Sequence, residues 1–243
     1  MGDAEAFTRE FLPLYVRVPA AGPGMCTICR TGPADPPQET CAGCRRAARG
    51  GHASTGHVVP ISLTARDTQL YDVLVRERDP SGAGGRRDRA AFLAATVARF
   101  LRAHIPCLED RAGGPFTVVA TIPDTRAERP IEAFDLMQRV VGKVGALVPR
   151  YRPLLLEPVA RAAFRVRGRV DDARVLLVDD LFGSGARVHG AASALYGSGA
   201  AAVVALVIAR FVDLADAHGA RIWREAHDRP FRFDRCCLCD PGD

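Results

Sequence analysis

Two adjacent acids and a glycine turn give one segment of the chain the residue types that bind a sugar phosphate. In the run VLLVDDLFGSGARVH, from Val175 to His189, the acids Asp179 and Asp180 follow an apolar stretch. Ionised carboxylates only accept hydrogen bonds, so the pair suits a ligand with hydroxyl donors, such as a ribose diol. The same carboxylates could also hold Mg²⁺ through water or through the ligand.

The turn after the acids is the predicted phosphate site. Gly183 and Gly185 can adopt positive φ and lack Cβ atoms, so backbone N–H groups can converge on an anion, and the Ser184 hydroxyl can donate another hydrogen bond. The helix predicted over 185–196 would direct its N-terminal N–H groups at the same point. Arg187 puts positive charge in the first helical turn, which is normally unfavourable by about 0.3–1 kcal/mol but favourable beside a bound phosphate. The alternative is an ordinary strand–helix turn with two solvated acids.

Four cysteines near the N-terminus have the spacing of a zinc module. Cys26 and Cys29 form one Cys-x-x-Cys pair, and Cys41 and Cys44 form another after a short loop that contains proline. Two such pairs supply four thiolates for tetrahedral Zn²⁺, and a closed site of this kind is structural. The segment around these pairs has no apolar periodicity, so metal coordination would take the place of a hydrophobic core.

Three cysteines near the C-terminus, Cys236, Cys237 and Cys239, leave several interpretations open. They could form a second metal site completed by Cys107 or a histidine, they could dock near the four-cysteine module, or they could be plain tail thiols.

The elements that must position these residues alternate along the rest of the chain. We predict strands over 58–63, 116–122, 154–156, 174–178 and 202–209, helices over 69–78, 90–104, 131–147 and 185–196, and a basic loop over 79–89. Buried strands that alternate with helices predict an α/β fold with a doubly wound parallel sheet. We therefore expect an N-terminal segment, 1–56, with the zinc module, and an α/β domain, 57–243, with a cysteine-containing tail.

Composition narrows the class of protein. Hydrophobic residues make up 48% and charged residues 25%, as in ordinary globular proteins, and the net charge of +5 is too small for a dedicated nucleic-acid binder. The longest apolar run, Ala200–Ala209, has the length of a buried strand, and the first residues lack the apolar core of a secretory signal. We expect a cytoplasmic protein without a membrane span; its oligomeric state, a homodimer included, stays open.

The segment with the paired acids resembles the ribose-phosphate signature of type I phosphoribosyltransferases: an apolar strand, Asp-Asp, two residues and Thr-Thr-Gly-any-Thr. The resemblance implies that Asp179 and Asp180 are the catalytic acids that bind the ribose hydroxyls of phosphoribosyl pyrophosphate, with Mg²⁺ on the pyrophosphate. It also implies that the phosphate loop consists of Gly183, Ser184, Gly185, Ala186 and Arg187. Three of these positions depart from the signature, because glycine, serine and arginine replace its threonines.

That family also has a pyrophosphate loop after an earlier core strand. Here the strand FTVVATI ends at Pro123 and is followed by Asp124, Thr125 and Arg126. An arginine at a strand end could hold a pyrophosphate with two hydrogen bonds. An ordinary Pro-Asp turn is an equal alternative.

A four-cysteine module ahead of such a domain resembles the ComF competence-protein family, over roughly 26–210. The Arg-Gly-Phe-Asn-Gln stretch of that family is missing, since residues 125–130 read TRAERP, so the acceptor of the phosphoribosyl group is unassigned. The resemblance implies an enzyme that transfers phosphoribosyl from phosphoribosyl pyrophosphate, or binds a related ribose phosphate. The alternative is a non-catalytic adaptor in DNA uptake, whose zinc module and basic loop (Arg86, Arg87, Arg89) contact DNA or a protein partner.

Overall fold

A central sheet of four parallel strands organises the molecule in the computed structural model, which describes residues 4–20, 22–33, 39–49, 57–75, 83–123, 135–160 and 162–239. The sheet strands are β1 (His57–Thr64), β2 (Val118–Thr121), β5 (Arg174–Phe182) and β6 (Ala202–Phe211), in the order β1-β6-β5-β2. An antiparallel hairpin consists of β3 (Leu156–Ala160) and β4 (Ala163–Val166). The predicted α/β class with a parallel sheet is confirmed.

Seven helices surround the sheet in the described part of the chain. They are α1 (Ala4–Arg9), α2 (Ala42–Arg49), α3 (Gln69–Val75), α4 (Ala83–Ala112), α5 (Leu136–Val141), α6 (Ala186–Gly197) and α7 (Ala217–His227). One face of the sheet packs against α3, α4, α5 and α7, and the other packs against α6, the hairpin and the four cysteines. Both faces are therefore buried, which explains why the strands read as continuous apolar runs.

Strand β5 decides where the paired acids lie. Its side chains alternate between the two faces, with Leu176 and Val178 on the α4 side and Val175 and Leu177 on the α6 side. The strand continues to Phe182, four residues beyond the predicted end, because β6 pairs with it over that whole length. Both aspartates consequently belong to the strand and not to the turn after it.

Three predicted elements have different bounds in the structure. The basic loop predicted over 79–89 is helical from Ala83, where the 30-residue helix α4 begins. The helix predicted over 131–147 is limited to Leu136–Val141 within the described residues, because the Asp135 side chain caps its N-terminus and the chain turns at Gly142. The segment after β6, where no helix is predicted, contains α7, whose N-cap is Asp216.

Helix α4 is the one described helix that is long and apolar enough to cross a bilayer, judged by length and composition over Arg89–Ala112. In that apolar window, 56% of the residues are buried inside the protein. This burial is the pattern of a core helix, and α4 indeed contacts α5, β1 and β6.

Candidate functional site

The carboxyl ends of β2, β5 and β6 lie side by side at one edge of the sheet. Thr121 pairs with Val178 and Phe182 pairs with Arg210, so the ends of three parallel strands are in register. In open α/β sheets this edge is where ligands bind. The paired acids and the glycine turn are both located there, as predicted.

The two acids have different environments. Asp179 is 2% exposed, whereas Asp180 is partly exposed and accepts a hydrogen bond at Oδ1 from the Leu181 backbone N–H, at 2.7 Å. Burial raises the pKa of Asp179 to about 8, although the Arg187 guanidinium opposes the shift. Asp180 is therefore the acid that a ligand in solution can reach directly.

The Arg187 side chain crosses the end of β5 toward β2. Its Nη2 lies 3.4 Å from Asp179 Oδ1 and donates at the same distance to the backbone carbonyls of Ile122 and Pro123. The other oxygen of Asp179 accepts no hydrogen bond among the described residues. Arg187 thus connects two adjacent strand ends, and its guanidinium points toward β2 and Asp179.

The glycine turn connects β5 to α6 and has one position whose backbone conformation favours glycine. Gly185 is the N-cap residue of α6 with φ of +82°, in the left-handed region that favours glycine. Gly183 has an ordinary φ, so the predicted positive φ is needed at Gly185 alone. Ser184 and Ala186 are exposed, and the backbone N–H groups of Ser184 and Gly185 donate to no acceptor within the described residues. Neither amide is therefore occupied by an acceptor in the described part of the chain, although Gly185 itself is buried.

Arg210, near the end of β6, fixes the conformation of this turn. Its Nη1 donates to the backbone carbonyls of Phe182 at 3.0 Å and Gly183 at 2.6 Å, and its guanidinium lies 5.0 Å from the centre of the Phe182 ring. Sequence reasoning missed this residue, because nothing near Arg210 in the chain indicates that it reaches the end of a neighbouring strand.

Asp135 is a third carboxylate close to the paired acids, and sequence reasoning missed it as well. Its Oδ1 accepts hydrogen bonds from the backbone N–H groups of Met137 at 2.9 Å and Gln138 at 3.2 Å. Its Oδ2 is buried without a hydrogen-bond partner among the described residues. Burial raises the pKa of Asp135 to about 6, and the nearby charge of Asp180 adds to the shift. An aspartate before an apolar run is a helix N-cap signal, which the longer predicted helix concealed.

A groove of about 890 Å³ opens beside the turn, between α6, the β3–β4 hairpin and α2. Ser184, Ala186 and His189 contribute to its lining. His189 is 3% exposed, neither ring nitrogen has a hydrogen-bond partner in the described chain, and burial lowers its pKa. The groove therefore borders the glycine turn on the α6 side, whereas Asp179 and Asp180 are not part of its lining.

The predicted pyrophosphate loop, Asp124, Thr125 and Arg126, lies outside the described residues. The structure describes β2 and the chain up to Pro123, which reaches the same edge as Asp179 and Asp180.

The four N-terminal cysteines converge into one buried group. The Sγ atoms of Cys26, Cys29, Cys41 and Cys44 all lie within 4.8 Å of one another, and those of Cys29 and Cys41 are 3.8 Å apart. Tetrahedral coordination with Zn–S bonds of about 2.3 Å places sulfurs about 3.8 Å apart, so this group could hold a metal ion such as zinc. Helix α2, which carries Cys44, packs against α6, so the cysteine group lies close to the candidate ligand site.

The fold and these features define an α/β protein with a parallel sheet, a glycine turn at its carboxyl edge and a buried four-cysteine group. A comparison with models of known protein families gives no match, and a search among characterised proteins likewise finds no similar sequence.

Proposed function

We propose that the protein binds phosphoribosyl pyrophosphate, or a related ribose 5-phosphate, as a relative of the type I phosphoribosyltransferases and of the ComF family. The observation that carries the proposal is the turn between β5 and α6, where the N–H groups of Ser184 and Gly185 are unused beside an exposed hydroxyl. A dianionic phosphate there would accept hydrogen bonds from both amides and would lie at the positive end of the α6 dipole.

In this proposal the two acids have different roles. Asp180 is accessible and accepts hydrogen bonds from the ribose hydroxyls. Asp179 holds Arg187 in place, because it is buried and its Oδ1 lies 3.4 Å from the Arg187 guanidinium. Asp179 is consequently a positioning residue, while Asp180 contacts the ligand.

The donor set also suits a magnesium ion that arrives with a pyrophosphate. Asp180 and Asp135 supply carboxylate oxygens, which Mg²⁺ prefers, and Asp135 has one buried oxygen without a hydrogen-bond partner among the described residues. The ion would offset the repulsion between these carboxylates and the phosphate oxygens. In the reaction that the resemblance implies, the bond between the anomeric carbon and pyrophosphate breaks, and an acceptor nucleophile takes the pyrophosphate's place.

A second candidate function is ligand binding without transfer, in a sensor or adaptor. The contact between Arg187 and Asp179 favours it, because the guanidinium replaces the last threonine of the signature and points toward β2. Release of pyrophosphate from phosphoribosyl pyrophosphate in the presence of candidate nitrogen nucleophiles separates the two functions. Binding without pyrophosphate release would favour the sensor.

Calorimetry with phosphoribosyl pyrophosphate and Mg²⁺ tests the binding site. Hydrogen bonds to a charged acceptor contribute roughly 1.5–3 kcal/mol, so Asp180→Asn should weaken binding by about 10-fold to 150-fold. Asp110→Asn makes the same chemical change at an exposed position near the end of α4 and should leave the affinity unchanged. Equal affinities for the wild type and Asp180→Asn would refute the assignment of Asp180.

A second titration, with ribose 5-phosphate and with inorganic pyrophosphate separately, identifies which group the turn binds. We expect ribose 5-phosphate to compete with phosphoribosyl pyrophosphate for one site, because the turn is assigned to the 5-phosphate. Competition by pyrophosphate alone would contradict that assignment.

A further inference from the structure

A second group of metal-ligand side chains joins two distant parts of the chain. His104 and Cys107 lie on α4, while Cys236 and Cys239 lie in the segment after α7. The His104 Nδ1 and the three Sγ atoms all lie within 4.8 Å of one another. These residues are separate from the four-cysteine group and from the carboxyl edge of the sheet, and the proposed function does not use them.

The distances within this group are close to those of tetrahedral coordination. His104 Nδ1 is 3.6 Å from the Cys239 sulfur and 3.9 Å from the Cys107 sulfur, and the sulfurs of Cys236 and Cys239 are 3.3 Å apart. A zinc ion with Zn–S bonds of about 2.3 Å and a Zn–N bond of about 2.0 Å requires separations of about 3.5–3.8 Å between its ligand atoms. Small side-chain movements would bring all four atoms to that geometry.

The hydrogen bond on the far side of the histidine ring gives independent support. His104 Nε2 lies 2.9 Å from the backbone carbonyl oxygen of Phe233. A carbonyl only accepts hydrogen bonds, so Nε2 carries the proton and Nδ1 keeps its lone pair, which faces the three sulfurs. Metal-binding histidines are held in this way, with the second ring N–H donated to a carbonyl or carboxylate.

Local structure presents the ligands as two pairs. His104 and Cys107 are three residues apart on α4 and so lie on the same face of the helix. Cys236 and Cys239 are paired by a tight turn in which the Cys239 N–H donates to the Cys236 carbonyl, at 3.2 Å. Sequence analysis left open a second metal site completed by Cys107 or a histidine, and the structure brings both Cys107 and His104 to the tail cysteines.

From these observations we propose that His104, Cys107, Cys236 and Cys239 form a second zinc site, which attaches the C-terminal segment to α4. Four protein ligands leave no open coordination position, so the site is structural. Cys237 is not a ligand; it is 4% exposed and packs in the hydrophobic core.

The C-terminal segment needs such a link because residues 228–239 form neither a helix nor a strand. The segment carries two aromatic side chains that contact Tyr15, with ring centres 5.0 Å away for Phe231 and 5.3 Å for Phe233. Zinc coordination three to eight residues further along the chain holds these rings in place. The site therefore joins the N-terminal and C-terminal ends of the described chain through α4.

Metal analysis of the purified full-length protein tests the proposal. We expect two zinc ions per chain in the wild type and one in Cys239→Ser, which changes the most exposed ligand. Cys237→Ala is the matched control, an adjacent cysteine outside the group, and should keep two. A wild type with one zinc ion and a Cys236–Cys239 disulfide, or a Cys239→Ser protein that retains two, would overturn the proposal.

A histidine series protects the test against simple misfolding. His104→Cys preserves a ligand atom and should retain the second zinc ion, whereas His104→Ala should lose it. Limited proteolysis then reports on the tail, which should become cleavable in His104→Ala and after chelation of the wild type. Two zinc ions in His104→Ala would contradict the assignment of this residue.

Discussion

The two glycines of the turn between β5 and α6 should respond very differently to alanine. At Gly185, φ is +82°, and an added Cβ would lie 2.6 Å from Phe182 Cζ and 3.0 Å from His189 Cδ2. Both neighbouring side chains are buried and cannot move aside. At Gly183 the φ is ordinary, and no atom lies within 4 Å of the position of an added Cβ.

The expected magnitude for Gly185→Ala follows from three contributions. A left-handed conformation costs a non-glycine residue about 1–2 kcal/mol, and overpacking a buried site costs about 1–3 kcal/mol. Reduced entropy of the unfolded chain returns about 0.4–1 kcal/mol. We therefore expect Gly185→Ala to lower the free energy of unfolding by about 3 kcal/mol. Only the last contribution applies to Gly183→Ala, which should be neutral or slightly stabilising.

Urea denaturation, followed by circular dichroism, measures the free energy of unfolding of both variants. The metal content of the two samples is matched. The midpoint for Gly185→Ala should fall well below that of the wild type with an unchanged m-value, while Gly183→Ala should stay at or above it. Equal midpoints for the two variants would refute the argument that Gly185 alone is required by the backbone of the turn.

Three further predictions concern the core and the site. Gly190→Ala should destabilise the protein by about 2 kcal/mol or more, because the added Cβ would overlap a backbone carbonyl of the β3–β4 turn. In the control Gly197→Ala, the added Cβ meets no atom within 4 Å. Thermal unfolding compares the two variants, and similar melting temperatures would contradict the prediction. Because burial raises the pKa of Asp179 from 3.8 to about 8, the folded state holds a proton that the unfolded state releases, so stability should fall as the pH rises from about 4 to 8. Asp179→Asn should flatten that part of the stability curve, and parallel curves for the two proteins would show that Asp179 does not contribute. Tyr15→Phe should lower the free energy of unfolding by about 1 kcal/mol, because the Tyr15 hydroxyl shares a buried 2.6 Å hydrogen bond with a threonine. Tyr71→Phe, where the described residues show no such bond, should leave the denaturant midpoint unchanged. An equal loss of stability in both variants would contradict a stabilising role for the Tyr15 hydrogen bond.

Much of the fold was predictable because hydrophobic periodicity, and the burial that it indicates, can be recognised within a few consecutive residues. The strands of the sheet are apolar runs closed by polar or proline residues, and the helix after the glycine turn was predicted to within one residue at each end. The hairpin was predicted only in part. Strand β3 is buried only at its first residue and β4 only at its second, so they carry a weaker hydrophobic signal than the buried parallel strands.

The candidate site was predictable only where its residues are adjacent in sequence. The acids, the turn and the two cysteine pairs each lie within one short segment, so their spacing was visible. Asp135 and Arg210 reach the same edge from other elements, and their approach depends on the packing of α5 and on the register of β6. The different exposure of Asp179 and Asp180 was equally hidden, since the two are neighbours with the same side chain.

The sequence by itself determined the α/β class, the position of the glycine turn and the four-cysteine group, because hydrophobic periodicity, glycine conformation and paired thiols act over a few residues. Only the tertiary structure decided which acid faces solvent and how Arg187 is directed. It also brought together His104 and Cys239, which are 135 residues apart. Contacts of that kind depend on how helices and strands pack across the whole chain, and no local pattern encodes them.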